Sequence, residues 1–219
     1  MWSSMKITQC SYINLNHRTD KFLHISEQLA SCPTNIPISR ISGLMVENFA
    51  EYKVHDYINV GSQIHKGIIG CWMAHKQLIK QEIDKNLNYD NDDGWTLVFE
   101  DDVVINPWFW TYLEMLSPIV DTDMIFFDSC MVDIEDKYVI NEEFNIQEIY
   151  TSFPVFVGTH CYAIKNSSLN KVYNILDGVT IFKDIDGYYF GNNDIKKYNY
   201  QSKLIKINYK FHSDRLTAF

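Results

Sequence analysis

Glu100, Asp101 and Asp102 interrupt the apolar stretch LVFEDDVVI, Leu97 to Ile105. Adjacent like charges repel, and burial raises the cost. A divalent cation would compensate them. Hard ions such as Mg²⁺ and Mn²⁺ take oxygen ligands, commonly one or two carboxylates plus substrate phosphates. On an extended stretch, Glu100 and Asp102 project to the same side and can share one ion. The plain alternative is an acidic turn facing water, one carboxylate bonded to backbone amides. The triplet by itself leaves both open.

Other residues could serve such a site. Asp128 closes a second apolar run, DMIFFD. Arg18 and Lys21 sit where a helix should begin, a position the helix dipole disfavours for cations, so they are candidates for holding an anion. His75 lies on the apolar stripe of a helix, between Trp72 and Ile79. It is either a core histidine with a satisfied ring nitrogen or part of the site. Gly67 and Gly70 would let a phosphate approach backbone at a helix start. His212, near the chain end, is a surface residue or a metal ligand reaching back over the site.

Hydrophobic periodicity supplies the elements that must position these groups. Strands are expected at 6–15, 38–41, 95–99, 124–127, 153–157, 160–164 and 204–211. The runs at 95–99 and 124–127 are apolar throughout, the pattern of strands buried on both faces of a parallel sheet. Helices are expected from Phe22 to Leu29, from Gly67 to Ile83, after Asn106-Pro107, and after Ser167 or Ser168. The segment 47–66 reads as a loop with short helical pieces, 86–94 as a polar loop and 133–147 as an acidic surface excursion. Strand and helix alternation gives a three-layer α/β sandwich with a largely parallel sheet, kept as one domain. In such sheets ligands bind beyond the carboxyl ends of the strands. Glu100, Asp101, Asp102, Asp128, Asn14, Leu15 and Arg18 all follow strands, so they converge on one rim.

The chain has 219 residues and a net charge of −9, which disfavours a groove that tracks nucleic-acid phosphates. The five cysteines are widely spaced with no C-x-x-C, so they read as reduced thiols and not as a disulfide framework or zinc site. No window approaches ~20 apolar residues, and the first residues lack a signal-peptide core. A cytoplasmic protein without a transmembrane segment is the expectation. The aromatic content leaves room for a homodimer.

Several separated pieces occur in an order that resembles glycosyltransferase family 25: INLNHRTDK, GIIGCWMAHKQLIKQEI, LVFEDDV, DMIFFDS, GTHCYAIKNSSLNKVYNIL and DIDGYYF. The resemblance spans about residues 7–190. It implies a GT-A-type, Rossmann-like α/β/α fold, with a nucleotide-binding half near 1–105 and an acceptor-side half near 106–219. It implies inverting transfer of galactose or glucose from a UDP-sugar to a glycan or a hydroxylysine-type acceptor, aided by Mn²⁺ or Mg²⁺. The acidic triplet is similar to the family's DxD-type motif, so Asp102, with Glu100 or Asp101, would hold the metal. Asn14, Leu15 and Arg18 would line the nucleotide pocket, and His75 occupies the family's Ser-His position with Ala74 in place of Ser. Where the family often has Asp-Gly after the second strand, this chain has Ser42-Gly43. Lys21 replaces the second Arg of the first motif, keeping charge but losing bidentate geometry.

Inverting transfer needs a general base for the acceptor hydroxyl and charge stabilisation on the departing diphosphate. Asp186 in DIDGYYF is the first choice for the base, with Asp128 and Asp184 behind it. Two rivals use the same residues: a silent relative that binds without turnover, and a metal-dependent nucleotide-sugar hydrolase.

Overall fold

The computed structural model describes residues 4–48, 51–55, 63–85, 94–117, 121–131, 139–141, 146–148, 156–181 and 183–211. The chain opens with β1 (Ile7–Asn14), α1 (Thr19–Leu29), β2 (Ile38–Ser42) and α2 (Gln63–Lys85). Next come β3 (Trp95–Glu100), β4 (Val103–Ile105), α3 (Trp108–Met115), β5 (Met124–Phe127) and β6 (Cys130–Met131). Then follow β7 (Val139–Asn141), β8 (Ile146–Glu148), β9 (Phe156–Val157), β10 (Cys161–Lys165) and α4 (Leu169–Asp177). The described chain finishes with α5 (Ile185–Gly191), β11 (Lys197–Tyr200) and β12 (Ile205–Ile207).

The main sheet has the order β2-β1-β3-β10-β5-β11-β8-β7. β1 pairs in parallel with both β2 and β3, and β5 in parallel with β11. β10 runs antiparallel between β3 and β5, and β8 antiparallel between β11 and β7. All strands but β10 and β8 therefore point one way. β10 reads on sequence as one more buried strand, and nothing in its composition marks its reversed direction. Two corrections concern the second half. Within the expected surface excursion at 133–147, β7 and the start of β8 extend the sheet edge. The last strand is Ile205–Ile207, which pairs with β4 just after the acidic triplet.

Alternation along the central strands explains the layers. Val98, Met124, Phe126, Tyr162 and Ile164 face one cluster, covered by α2, α4 and α5 through Trp72, Leu78, Val172, Leu176 and Tyr189. Leu97, Phe99, Ile125, Phe127 and Ala163 face the other, covered by α1 and α3 through Ile25, Leu29, Phe109 and Leu113. Burying each such side chain contributes about 1.5–3 kcal/mol, so the continuous apolar runs are held on both faces at once. This is the expected α/β/α sandwich.

Local signals hold unevenly. The Asn106 side chain accepts the Trp108 N–H (3.0 Å), as an N-cap should. Ser168 precedes α4 but does not cap it; its hydroxyl donates to Asp123 Oδ1 at 2.7 Å. The turn Asn166–Ser168 is 3-10, and Asn166 is buried against Thr96 and Thr8. Cys10, Cys32, Cys71 and Cys161 are free thiols, as expected.

β11 carries a buried lysine at Lys197, whose ammonium donates to the Asn192 and Ile195 carbonyls. Burial pulls its pKa from 10.5 down to about 8, against the opposing pull of Asp123. The folded state thus binds this proton less tightly than the unfolded chain. The penalty is fully felt below about 8 and vanishes above about 10.5. Relative to Lys197→Met, wild type should gain stability as the pH rises through that window. Urea unfolding of both proteins across the window checks this; a pH-independent difference would refute the burial account.

Candidate active site

β1, β2 and β3 run side by side in one direction, so Asn14, Ser42 and Glu100 end on one rim. A cleft of about 160 Å³ opens there. Its floor is the acidic triplet, one wall is the segment from Gly43 to Val46, and the other is the first half of α2. Gly70 makes that second wall fit. A Cβ on Gly70 would sit 2.4 Å from the Leu44 carbonyl oxygen, so only glycine lets the helix lie this close to the 43–46 segment. The sequence expectation that α2 starts at Gly67 is corrected: the helix begins at Gln63, and Gly67 and Gly70 lie inside it. Gly70 permits close packing, and neither glycine is at the start of the helix.

The triplet is not extended beyond Glu100. β3 ends at that residue, and Asp101 and Asp102 form the turn into β4. Asp101 and Asp102 share one ammonium, and Glu100 takes other partners. Asp101 is buried; its Oδ2 accepts from Asn14 Nδ2 at 2.7 Å, and its Oδ1 lies 3.3 Å from Lys21 Nζ. Asp102 Oδ2 lies 3.2 Å from the same ammonium. Glu100 Oε1 accepts from Thr159 Oγ1 at 2.5 Å and lies 3.6 Å from His75 Nε2. Lys21 is itself only 3% exposed, so its pair with Asp101 is buried and its pair with Asp102 half-buried. Burial raises the Asp101 pKa, and Lys21 and Asn14 oppose it. Burial, then the Glu100 charge, raises Asp102. Arg40 extends the network by donating to Asn14 Oδ1 at 2.8 Å, which fixes the amide orientation.

His75 is fully enclosed, with Nδ1 2.7 Å from the Tyr162 hydroxyl. Burial lowers its pKa, but Cys71 and Glu100 outweigh that and lift it to about 9. His160, buried close to Glu100, Asp102 and Asp128, is held below its ordinary value by burial. Tyr162 falls in the expected strand 160–164 and Thr159 just before it, and neither is singled out there as a site residue. Both touch site residues, and no local pattern distinguishes them from core.

Of the residues expected at the site, Asn14, Leu15, Gly43, His75, Glu100, Asp101 and Asp102 all line the cleft. Arg18 does not; its guanidinium binds Asp20, through Nε at 2.9 Å and an Nη at 2.8 Å. Asp128 does not line it either. β5 runs the same way as β3, so Asp128 does end on the same edge of the sheet, but its carboxylate is committed elsewhere. It accepts from the Ser202 hydroxyl and the Lys203, Leu204 and Ile205 backbone N–H groups, with Asp128 itself at φ 53°, and secures the turn before β12. Asp186 lies in the first turn of α5, and Asp184 just before that helix. The Asp186 carboxylate accepts the Gly158 N–H (2.9 Å) and the Gly187 N–H (2.6 Å), one residue away from Thr159. His212 and the loop at 86–93 lie outside the described residues.

Glu100 and Asp102 both line the cleft with carboxylate oxygens, donors of the type that a hard cation would take alongside substrate phosphates. The sequence model for glycosyltransferase family 25 (LPS biosynthesis protein) matches residues 8–188, which includes every element of the cleft. The chain belongs to glycosyltransferase family 25. No curated protein matches the sequence. Among solved structures, the chain is similar to a glycosyltransferase involved in the glycosylation of the major capsid of PBCV-1. That likeness has 10% identity and a TM-score of 0.39, and covers 89% of this chain and 93% of the other. As a family 25 glycosyltransferase, the chain has a sugar donor and an acceptor as partners. Among the described residues, no helix is long and apolar enough to cross a membrane.

In this glycosyltransferase Lys21 is the buried counter-charge for one buried carboxylate, Asp101, and one half-buried one, Asp102. Breaking a buried pair by removing one partner costs about 3 kcal/mol or more. Lys21→Met should lose about that much stability at neutral pH. The pKa values of Asp101 and Asp102 are already raised, so acid neutralises them readily and the deficit should shrink as the pH falls toward their titration range. Urea unfolding of both proteins at neutral and mildly acidic pH checks this. A deficit that is constant across pH would mean that Lys21 contributes by packing alone.

Proposed function

We propose that this family 25 protein transfers galactose or glucose from a UDP-sugar to a glycan or hydroxylysine-type hydroxyl, with inversion, and with Mn²⁺ or Mg²⁺ as the donor's counterion. The observation that carries the reading is the acidic triplet at the carboxyl rim of three parallel strands, opening on a cleft with a buried lysine. Glu100 and Asp102 would hold the cation, which supplies charge neutralisation for the leaving diphosphate. Lys21 adds a fixed positive charge beside the same oxygens. Asn14, oriented by Arg40 and Asp101, offers a rigid polar edge to the nucleotide. Leu15 and Gly43 line the wall beside it, with the Gly43 N–H tied to the Asn14 carbonyl at 3.0 Å.

Asp186 is our choice for the base that takes the acceptor proton. Each of its oxygens accepts one backbone N–H, so each keeps a lone pair for a proton. Those two bonds fix the carboxylate beside the Gly158–Thr159 segment that reaches Glu100. Asp128 has no such freedom, because four donors hold it in its turn.

Calorimetric titration of UDP, UDP-galactose and UDP-glucose, with and without Mn²⁺, tests the donor assignment. Binding should require the metal and be lost in Asp102→Ala with the fold intact by circular dichroism. Equal affinity without metal would shift the diphosphate to Lys21, and no binding at all would favour a silent relative. Asp186→Asn should lower turnover by roughly 100-fold or more while leaving donor affinity unchanged. Full activity in that variant would move the base elsewhere.

A further inference from the structure

Cys71 and His75 lie one helical turn apart on α2, so both side chains face the same way. They face Glu100. The Cys71 sulfur, a His75 ring nitrogen and a Glu100 carboxylate oxygen all lie within 4.8 Å of one another, and all three residues line the cleft. A tetrahedral Zn²⁺ with ligand bonds of about 2.0–2.3 Å holds its donors about 3.3–3.8 Å apart, a separation these side chains reach with a small rotamer adjustment. The Nε2 to Glu100 Oε1 distance, 3.6 Å, already suits it. The other histidine nitrogen lies against the Tyr162 hydroxyl at 2.7 Å. Metal-bound histidines are characteristically oriented by such a second hydrogen bond.

We propose that Cys71, His75 and Glu100 form a site for a thiolate-preferring divalent cation, Zn²⁺ in type, with its fourth position open to the cleft. This site does not depend on the donor assignment above. It differs from the acidic triplet in chemistry, because sulfur and imidazole select Zn²⁺ or Co²⁺ where an all-oxygen set selects Mg²⁺ or Mn²⁺. The two share Glu100. An ion on Cys71 and His75 therefore withdraws one carboxylate from a hard cation at the triplet. It also places a positive charge where His75 and Lys66 border the donor cleft. The absence of C-x-x-C makes sequence reading pass over it. The signal present is Cys-x-x-x-His on one helical face, completed by a strand end far away in sequence.

The test titrates Co²⁺ into the reduced, chelator-treated full chain and follows thiolate-to-metal charge transfer in the near ultraviolet. The site predicts a saturable band at one Co²⁺ per chain, bleached by Zn²⁺, absent in Cys71→Ser and retained in Asp102→Ala. No band in wild type, or a band that survives Cys71→Ser, overturns the proposal. So does loss of the band in folded Asp102→Ala, which would place the ion on the triplet. A second readout needs no variant: one equivalent of Zn²⁺ should slow alkylation of Cys71, read by peptide mass spectrometry, by roughly tenfold or more. An unchanged rate overturns the proposal equally.

Discussion

The site depends on where the charge of three adjacent carboxylates goes. β3 is buried on both faces, so its carboxyl end delivers Glu100, Asp101 and Asp102 into a poorly hydrated corner. The chain answers this with a tight turn that points the three side chains apart and with one ammonium, from Lys21, between two of them. A lysine is suited to that place because it acts as a compact point charge and can serve two carboxylates singly. Arginine's fork would commit to one of them. The third carboxylate turns toward Thr159 and His75. α1 must therefore start where it does, so that Lys21 in its first turn reaches across to the end of β3. Asn14 must end β1 to bond Asp101. Three strand and helix ends are thus fixed relative to one another by one problem of charge burial.

Much of this was legible in the sequence, and the reasons differ by residue. Continuous apolar runs at Trp95–Phe99 and Met124–Phe127 suit central strands buried on both faces, and they are such strands. Glu100, Asp101 and Asp102 stand out because like charges at the end of such a run demand a partner. What the sequence could not express was direction and reach. β10 has the composition of any central strand, and its antiparallel course depends on connections far along the chain. Asp128 ends an apolar run just as Glu100 does, yet its left-handed backbone turns the carboxylate onto the 202–205 turn, a contact between residues some 75 apart that no local pattern carries. Arg18 was read as an anion ligand from its position at a helix start, where Asp20, two residues on, was the nearer anion. Thr159 and Tyr162 matter only because antiparallel β10 and the turn before it bring them against Glu100 and His75.

Two chemistries coexist in one small cleft, and their separation follows from which element supplies each donor. Strand ends and turns supply oxygen: Glu100, Asp101, Asp102 and the Asn14 amide. α2 supplies sulfur and imidazole, one turn apart on the face that Gly70 lets approach the 43–46 segment. Glu100 is the member of both sets. Its side chain is 30% exposed, against 10% for Asp101 and 19% for Asp102, so it is the least committed of the three. A carboxylate shared between hard and soft donors makes metal identity a lever on the cleft's charge. On the proposed assignments, an ion on the triplet would reduce the negative charge beside Lys21 and favour a diphosphate. An ion on Cys71 and His75 would draw Glu100 toward α2 and leave the Asp101–Lys21–Asp102 pairs alone. Lys21 and Asn14 already partner Asp101 and Asp102 through protein contacts, so an ion at either proposed site would act on Glu100 and on the charge that the cleft offers a ligand.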